Sequence, residues 1–350
     1  MNSWITTVSQ ILDQGSPLVM ATVVSHDGST PRGTGTRMIL GPDQSVSGTV
    51  GGGRIEATTL QTAYDIIGSR KWIIQYFDLT SEIADQMDMI CGGRMEILIE
   101  SMTPDEGTSR FFKEAIQILN SRRKGVMVSE LPGVSTDISQ INRMIFQENG
   151  ETIGQIPMSP ALMAEMNEMA GTLRMPVLKT DGNMRFLVEP ARSGDTVYIL
   201  GAGHVGLQTA ILAQMTGFRT VVLDDRIEFA NRDRFPDADE VRVLDSFTHA
   251  FHEHEILEDA YIVILTRGHL HDKTVLSQAL KTPAGYIGMI GSRKKRDTLY
   301  RALECEGFSG RDFERVFSPV GLSIGARTPE EIAVSIVAEL IQVRALKQNS

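Results

Sequence analysis

The residues with the clearest chemical meaning are Gly201, Gly203 and Gly206. They are spaced G-x-G-x-x-G between the apolar run VYIL (197–200) and a helical pattern. A dinucleotide-binding turn requires this setting. The first glycine permits the tight turn, the second lets a phosphate approach the backbone, and the third lets the helix lie against the strand. The helix that the motif opens, read over 207–216, would offer unpaired N–H groups and a positive dipole end to a pyrophosphate, with His204 in the binding turn. Asp224 follows about 20 residues on, at the end of a second apolar run, where a carboxylate can hold a ribose hydroxyl. The bland alternative is a fold that keeps the turn without the ligand.

Three further segments follow apolar runs in the same half: TRGHLHD (266–272), GMIGSRKK (288–295) and SPVGL (318–322). The first offers His269 beside Asp272 as an acid/base pair. In the second, Gly291 and Ser292 precede a helix start and Arg293 adds charge, a combination suited to phosphate. Its alternative is helix capping with solvated basic residues. His249, His252 and His254, with Glu253 and Glu255, have metal-ligand chemistry. They fall in a charged stretch that reads as a solvated face.

The first hundred residues carry three more glycine-rich loops. GSTPRGTGTR (28–37) contains Arg32 and Arg37, whose guanidinium forks suit phosphate or carboxylate oxygens. GTVGGGRIE (48–56) runs through Gly52 and Gly53 into a helix, with Glu56 in its first turn, again an anion-binding geometry. MICGG (89–93) carries a thiol. Cys91 reads either as inert core or as a reactive cysteine whose pKa Arg94 would lower; as a thiolate it would also be a soft metal ligand.

Around these loops, periodicity places short strands over 18–25, 36–40, 46–50, 72–79, 94–100, 126–131 and 142–147. Helices read over 5–12, 54–67, 110–122 and 160–170, and a hairpin turns at 181–183. No internal repeat is visible. The polar segment 189–195 reads as a linker. Beyond it, strands at 197–200, 220–223, 241–244, 261–265 and 285–290 alternate with helices, which implies a parallel sheet with helices on both faces. A final helix over 329–345 starts with Thr328, Pro329 and Glu331 as a capping box. The fold class is therefore α/β, with a C-terminal Rossmann-like doubly wound parallel sheet (191–350) after an N-terminal strand-rich α+β domain (1–190).

The chain has 350 residues, 34 Lys plus Arg and 44 Asp plus Glu, for a net charge of −10. That length suits roughly two domains of about 150 residues. The acidic balance argues against nucleic-acid binding. The longest apolar runs are too short to span a bilayer, and no secretory signal precedes the first helix. Two cysteines, Cys91 and Cys305, exclude a disulfide framework and suit a reducing cytoplasm.

Together these motifs resemble the XdhC/CoxI family, the xanthine dehydrogenase accessory factors. The likeness rests on GSTPRGTGTRM (28–38), GTVGGGRIE (48–56), CGG (91–93), GAGHVG (201–206), DDR (224–226), TRGHLHD (266–272), YIGMIGSRKK (286–295) and PVGLSIGARTPEEIAVSIVAE (319–339). It implies a cytoplasmic, non-enzymatic chaperone that binds the molybdenum cofactor as molybdopterin or its dinucleotide form. Such a protein presents the cofactor to a cysteine desulfurase for sulfuration and helps insert it into an apo molybdenum hydroxylase. The resemblance also implies a homo-oligomer. Many relatives carry Cys where this chain has Gly53, which leaves Cys91 as the only thiol in the N-terminal motifs.

A ligand with a metal at one end and phosphate at the other would be expected to use both domains. The competing reading is an NAD(P)-dependent oxidoreductase of a small substrate, with His269 as its acid/base.

Overall fold

A computed structural model of the chain describes residues 3–79, 93–120, 123–132, 140–191 and 194–348. It divides into two compact units, residues 2–193 and 194–350.

The first unit runs α1 (Ser3–Asp13), β1 (Leu18–Asp27), β2 (Arg37–Leu40), β3 (Val46–Gly48), α2 (Gly53–Ile66), β4 (Trp72–Asp78) and β5 (Arg94–Met102). It continues with α3 (Glu106–Asn120), β6 (Gly125–Leu131), β7 (Arg143–Gln147), β8 (Thr152–Gly154), α4 (Pro160–Thr172), β9 (Val177–Asp181) and β10 (Met184–Pro190). The strands form two antiparallel sheets, ordered β3-β2-β1-β5-β4 and β8-β7-β6-β10-β9.

The two halves follow one order of elements. Each is a helix, a three-stranded meander, a second helix and a returning hairpin, so the unit is an internal duplication. The sequence shows no such repeat because few positions are kept. Those that are kept have physical reasons. Gln10-Ile11-Leu12 matches Gln117-Ile118-Leu119, and Arg37-Met38-Ile39 matches Arg143-Met144-Ile145. Gly48 and Gly154 end the third strand of each half at the same φ of +79° and +79°. A Cβ there would lie 2.4 Å from the Arg37 carbonyl oxygen and 2.2 Å from that of Arg143. Only glycine lets the meander close.

Strand alternation sets the layers. On β5, Ile97 and Ile99 face α2 and pack with Ile55 and Ala63, whereas Leu98 faces the opposite way and joins Val24, Leu131 and Leu187 between the sheets. Sheet two turns Val126, Val128 and Phe186 onto Leu162 and Met166 of α4. Met20, Met102, Phe112 and Met127 fill the space around α1 and α3. Ion pairs also cross between the two sheets. Arg37 of the first half forks onto Glu189 of the second, and Arg143 of the second reaches Glu100 of the first. Glu96 and Arg185 occupy equivalent strand positions and pair at 2.6 and 2.8 Å.

The second unit contains β11 (Thr196–Leu200), α5 (His204–Met215), β12 (Arg219–Asp224), β13 (Glu240–Val243) and β14 (Ala260–Ile264). Then follow α6 (His269–Ala279), β15 (Tyr286–Met289), α7 (Arg293–Glu304), α8 (Gly310–Phe313), β16 (Val316–Phe317) and α9 (Pro329–Gln348). Its six strands are parallel, in the order β13-β12-β11-β14-β15-β16. Both faces are covered, so VYIL and YIVI are continuous apolar runs. Val197, Ile199, Val222 and Val263 pack with Ala210 and Ile336, on the side of α5 and α9. Tyr198, Leu200 and Ile262 pack with Val275 and Leu299, on the side of α6 and α7. Thr328 caps α9 as expected. Its hydroxyl accepts from the Glu331 N–H at 3.3 Å, and the Glu331 carboxylate accepts from the Thr328 N–H at 3.1 Å.

Candidate functional site

In the second unit the strand order reverses between β11 and β14, so the chain leaves these neighbours in opposite directions and opens a crevice at their carboxyl ends. Gly201, at φ +124°, closes the turn there; a Cβ on it would lie 2.3 Å from the Leu265 carbonyl oxygen. Gly206 lies in α5, and its Cβ would lie 2.0 Å from the Gly201 carbonyl oxygen. Protein packing therefore dictates both. Gly203 differs: a Cβ there would meet nothing within 4 Å. It caps α5 without any side-chain acceptor. The space over Gly203, with exposed His204 beside it, opens onto the first-turn N–H groups of α5, a geometry that suits an anion.

Asp224 is turned inward. Its Oδ2 accepts from the Ala202 N–H at 2.8 Å and from Arg226 Nη2 at 2.9 Å, and its Oδ1 accepts from the Arg226 N–H at 3.1 Å and Nε at 2.8 Å. Burial would raise this carboxyl's pKa, but the Arg226 and Ala202 hydrogen bonds outweigh burial and hold it below the ordinary aspartate value. Each oxygen already accepts two protein donors, so the expected ribose contact from Asp224 is not what this geometry supplies. Asp224 fixes the glycine loop instead. Its neighbour Asp225 pairs with Arg267, at 2.9 Å.

Asp272 and His269 do not form the expected dyad. His269 is exposed at the first position of α6, whereas Asp272 is fully buried. Asp272 accepts from the Thr266 hydroxyl at 2.6 Å and is ion-paired with Lys295. Lys295 Nζ also donates to the Ile290 carbonyl at 3.3 Å. The buried carboxylate thus ties the loop after β14 to the loop after β15. In that second loop Gly291 is at φ +147°, and the Ser292 hydroxyl caps α7 by accepting from the Lys295 N–H at 3.2 Å. Arg293 is exposed beside it.

The histidine cluster is split. His249 and His252 are exposed as expected, but the His254 side chain is buried, with its ring 5.4 Å from Tyr198. Among the described residues no group of three His, Cys, Asp or Glu could hold a metal.

In the first unit, the fork chemistry expected of Arg37 is present but serves an internal carboxylate. Nη1 donates to Glu189 at 2.8 Å, Nη2 forms the second prong, and Trp4 covers the guanidinium at 3.9 Å. Glu56 likewise supplies the anion for its own glycine loop: it accepts from the Thr49 hydroxyl and, at 3.3 Å, from the Gly52 N–H. Arg37 and Glu56 are thus engaged within the fold and not presented to a ligand. Gly52 and Gly53 sit at φ +75° and +53° at the mouth of α2, and a Cβ on Gly52 would meet open space. Arg32 is exposed and donates to the Pro31 carbonyl at 3.0 Å. Gly93 is a packing glycine, with a Cβ contact of 2.4 Å to the Asp27 carbonyl oxygen. Cys91 lies outside the described residues.

Sequence reasoning missed Arg226, Thr266 and Lys295, the three partners that tie down the two buried aspartates. Their signal was adjacency: each lies in a segment already singled out for another residue.

Comparison with known proteins agrees with this architecture. The family described as "XdhC Rossmann domain" matches residues 197–340, and the "XdhC and CoxI family" matches residues 11–77. The chain is 27% identical to a Bacillus subtilis protein named as a probable subunit of xanthine dehydrogenase, with 98% of each chain covered. It is 22% identical to the Escherichia coli molybdenum cofactor insertion chaperone PaoD, over 96% of this chain and 86% of that one. A crystal structure of a Bacillus halodurans protein described as a xanthine dehydrogenase superposes with a TM-score of 0.78 at 26% identity, covering 99% of this chain and 97% of that one. With both its sequence families matched in order and the six-stranded parallel sheet in place, the chain belongs to the XdhC and CoxI family.

Proposed function

We propose that this protein is an accessory factor of a xanthine dehydrogenase-type molybdenum hydroxylase, carrying the molybdenum cofactor as cargo. In this reading it binds molybdopterin or its dinucleotide form, holds it while a cysteine desulfurase supplies the terminal sulfur, and passes it to the apo-enzyme. It works without turnover, in the cytoplasm, as a homo-oligomer.

The observation that carries the reading is the likeness to the insertion chaperone PaoD along 96% of the chain. The geometry is compatible with the cargo's anionic end. The open space over Gly203 at the start of α5 suits a phosphate or pyrophosphate. Exposed Arg293 and the Ser292 loop, two strands along the same sheet edge after β15, supply further charge and donors. Cys91 is assigned to the metal end, facing the molybdenum or the sulfur being delivered, because a thiolate suits a soft, dithiolene-bound metal better than a carboxylate does.

The NAD(P)-dependent oxidoreductase reading draws on the same glycine loop. It needs an acid/base pair beside the nicotinamide, and Asp272 is committed to Thr266 and Lys295 instead of His269.

The test is to purify the protein from cells that make the cofactor and to identify its ligand by mass spectrometry. The target hydroxylase is assayed in parallel, in a strain lacking this gene. Bound molybdopterin, together with an inactive hydroxylase restored by the returned gene, is the expected result. Fully active, sulfurated hydroxylase in the deletion strain overturns the reading.

A further inference from the structure

The internal duplication of the first unit allows one half to be compared with the other, and at one place the halves differ in a way that points to a ligand. In the first half the Arg37 guanidinium is roofed by the Trp4 ring at 3.9 Å, and Arg37 also donates to the Gly35 carbonyl at 2.9 Å. Pro176 closes against that loop: a Cβ on Gly35 would lie 2.6 Å from it. The place is full. In the second half Arg143 is the equivalent arginine and Phe111 the equivalent of Trp4, by the shared Gln-Ile-Leu and Arg-Met-Ile signatures. Among the described residues, Arg143 lies over no ring closer than Phe112, at 5.9 Å. A cavity of about 530 Å³ opens there instead, lined by Arg143, Phe111, Ser101 and Asn142, with Arg70 and Lys71 also on its wall.

We propose that this cavity binds a planar, anionic heteroaromatic small molecule, whose ring takes beside Arg143 the place that Trp4 takes on Arg37. The volume falls in the range of small-ligand sites, roughly 300–1,000 Å³. A guanidinium face stacks well on an aromatic plane, and the first half of this chain demonstrates that contact at the equivalent position. The Arg143 side chain lines the cavity and is held in place by its pair with Glu100. The Ser101 hydroxyl on the wall is buried without a hydrogen-bond partner, and Arg143 Nε lacks one as Arg37 Nε does. Asn142 adds an amide for ring edges. The anionic substituent is drawn by Arg70 and Lys71, both exposed. Of the two carboxylates on the wall, Glu100 is spent on Arg143, and Asp105 caps α3 through the Thr108 N–H at 2.9 Å. A pterin carrying an acidic group and a purine mononucleotide share this chemistry. The site uses none of the residues of the Gly203 loop and stands or falls apart from the accessory role.

The experiment titrates the full-length protein with pterin-6-carboxylate, with GMP and with inorganic phosphate, by calorimetry. The informative variant is Phe111→Trp, which installs the first half's own roof. Wild type is expected to bind at least one aromatic anion and to prefer it over phosphate. Phe111→Trp is expected to weaken that binding at least tenfold. Preference for the pterin or for GMP identifies the source. Lys71→Glu, a surface change, gives a second reading and should weaken binding about fivefold even if Phe111→Trp does not fold. The proposal is overturned if neither aromatic probe binds, if phosphate binds as well as they do, or if affinity is the same in Phe111→Trp or in Lys71→Glu as in wild type.

Discussion

Asp224 accepts the backbone N–H of Ala202 at 2.8 Å, so the carboxylate at the end of β12 holds the glycine loop at the end of β11. Asp224→Asn keeps the shape but turns an amide toward donors. The loss expected is about 2 kcal/mol, typical of hydrogen bonds to a charged group. Urea unfolding of the second unit should report it as a lower midpoint at unchanged slope. The same group gives a pH dependence. Its folded pKa is depressed, so its contribution is fully present above the ordinary aspartate value of about 3.9 and is lost as pH falls through the lower folded value. Wild type should lose stability on acidification below about pH 4, and Asp224→Asn should show a shallower fall over that window.

Gly203 and Gly206 should separate binding from folding. Gly206→Ala drives a methyl to 2.0 Å from the Gly201 carbonyl oxygen, so the helix must back away from the strand. A cost of about 1–3 kcal/mol is expected, the range for overpacking. Gly203→Val meets open space at φ −67° and should leave the melting temperature within a few degrees while abolishing binding of the phosphate-bearing ligand. Equal calorimetric affinity in Gly203→Val and wild type would make this loop structural only.

How far the sequence speaks is clear from these same residues. The strand–turn–helix around Gly201 was legible because two physical signals coincide there, a doubly buried apolar run and a glycine spacing whose first and last members are dictated by packing. The parallel sheet followed from repetition of that pattern. The side chains of Arg37, Glu56, Asp224 and Asp272 were not legible as internal partners. A motif gives residue type and spacing, and an arginine that forks onto a ligand is written the same way as one that forks onto Glu189. The distinction lies in contacts between residues far apart in the chain, such as Arg37 with Glu189. The duplication was hidden for a related reason: two copies of a meander need the same alternation of apolar and polar positions, not the same amino acids.

The paired ion bridges between the sheets give a prediction that depends on the duplication. Glu189→Gln strands Arg37, and Glu100→Gln strands Arg143, each a buried arginine left without its carboxylate. Each should cost about 3 kcal/mol, at the lower edge for breaking a buried pair. The Trp4 roof should not rescue Arg37, because ring stacking replaces neither hydrogen bond. The two substitutions occupy equivalent places, so similar losses are expected from denaturant titration. A loss below about 1 kcal/mol at either site would show that its arginine finds water when unpaired.

Cys91 tests the sulfur-handling part of the proposed accessory role. Replacing sulfur by oxygen in Cys91→Ser barely changes side-chain volume, so the circular dichroism spectrum and melting temperature should match wild type. What changes is chemistry. A serine hydroxyl stays protonated at neutral pH and is a hard donor, whereas a thiolate is a soft ligand for molybdenum and a competent acceptor of transferred sulfur. Phosphate-end binding at Gly203 should persist, so the variant should still copurify with molybdopterin. The hydroxylase matured in its presence should carry molybdenum but lack the terminal sulfur, and its activity should fall at least tenfold. Cyanide-releasable sulfur, measured on the purified hydroxylase, reads that step directly. If hydroxylase from the Cys91→Ser strain releases as much sulfur as that from wild type, the thiol has no part in sulfur delivery, and the metal end must be held by other residues.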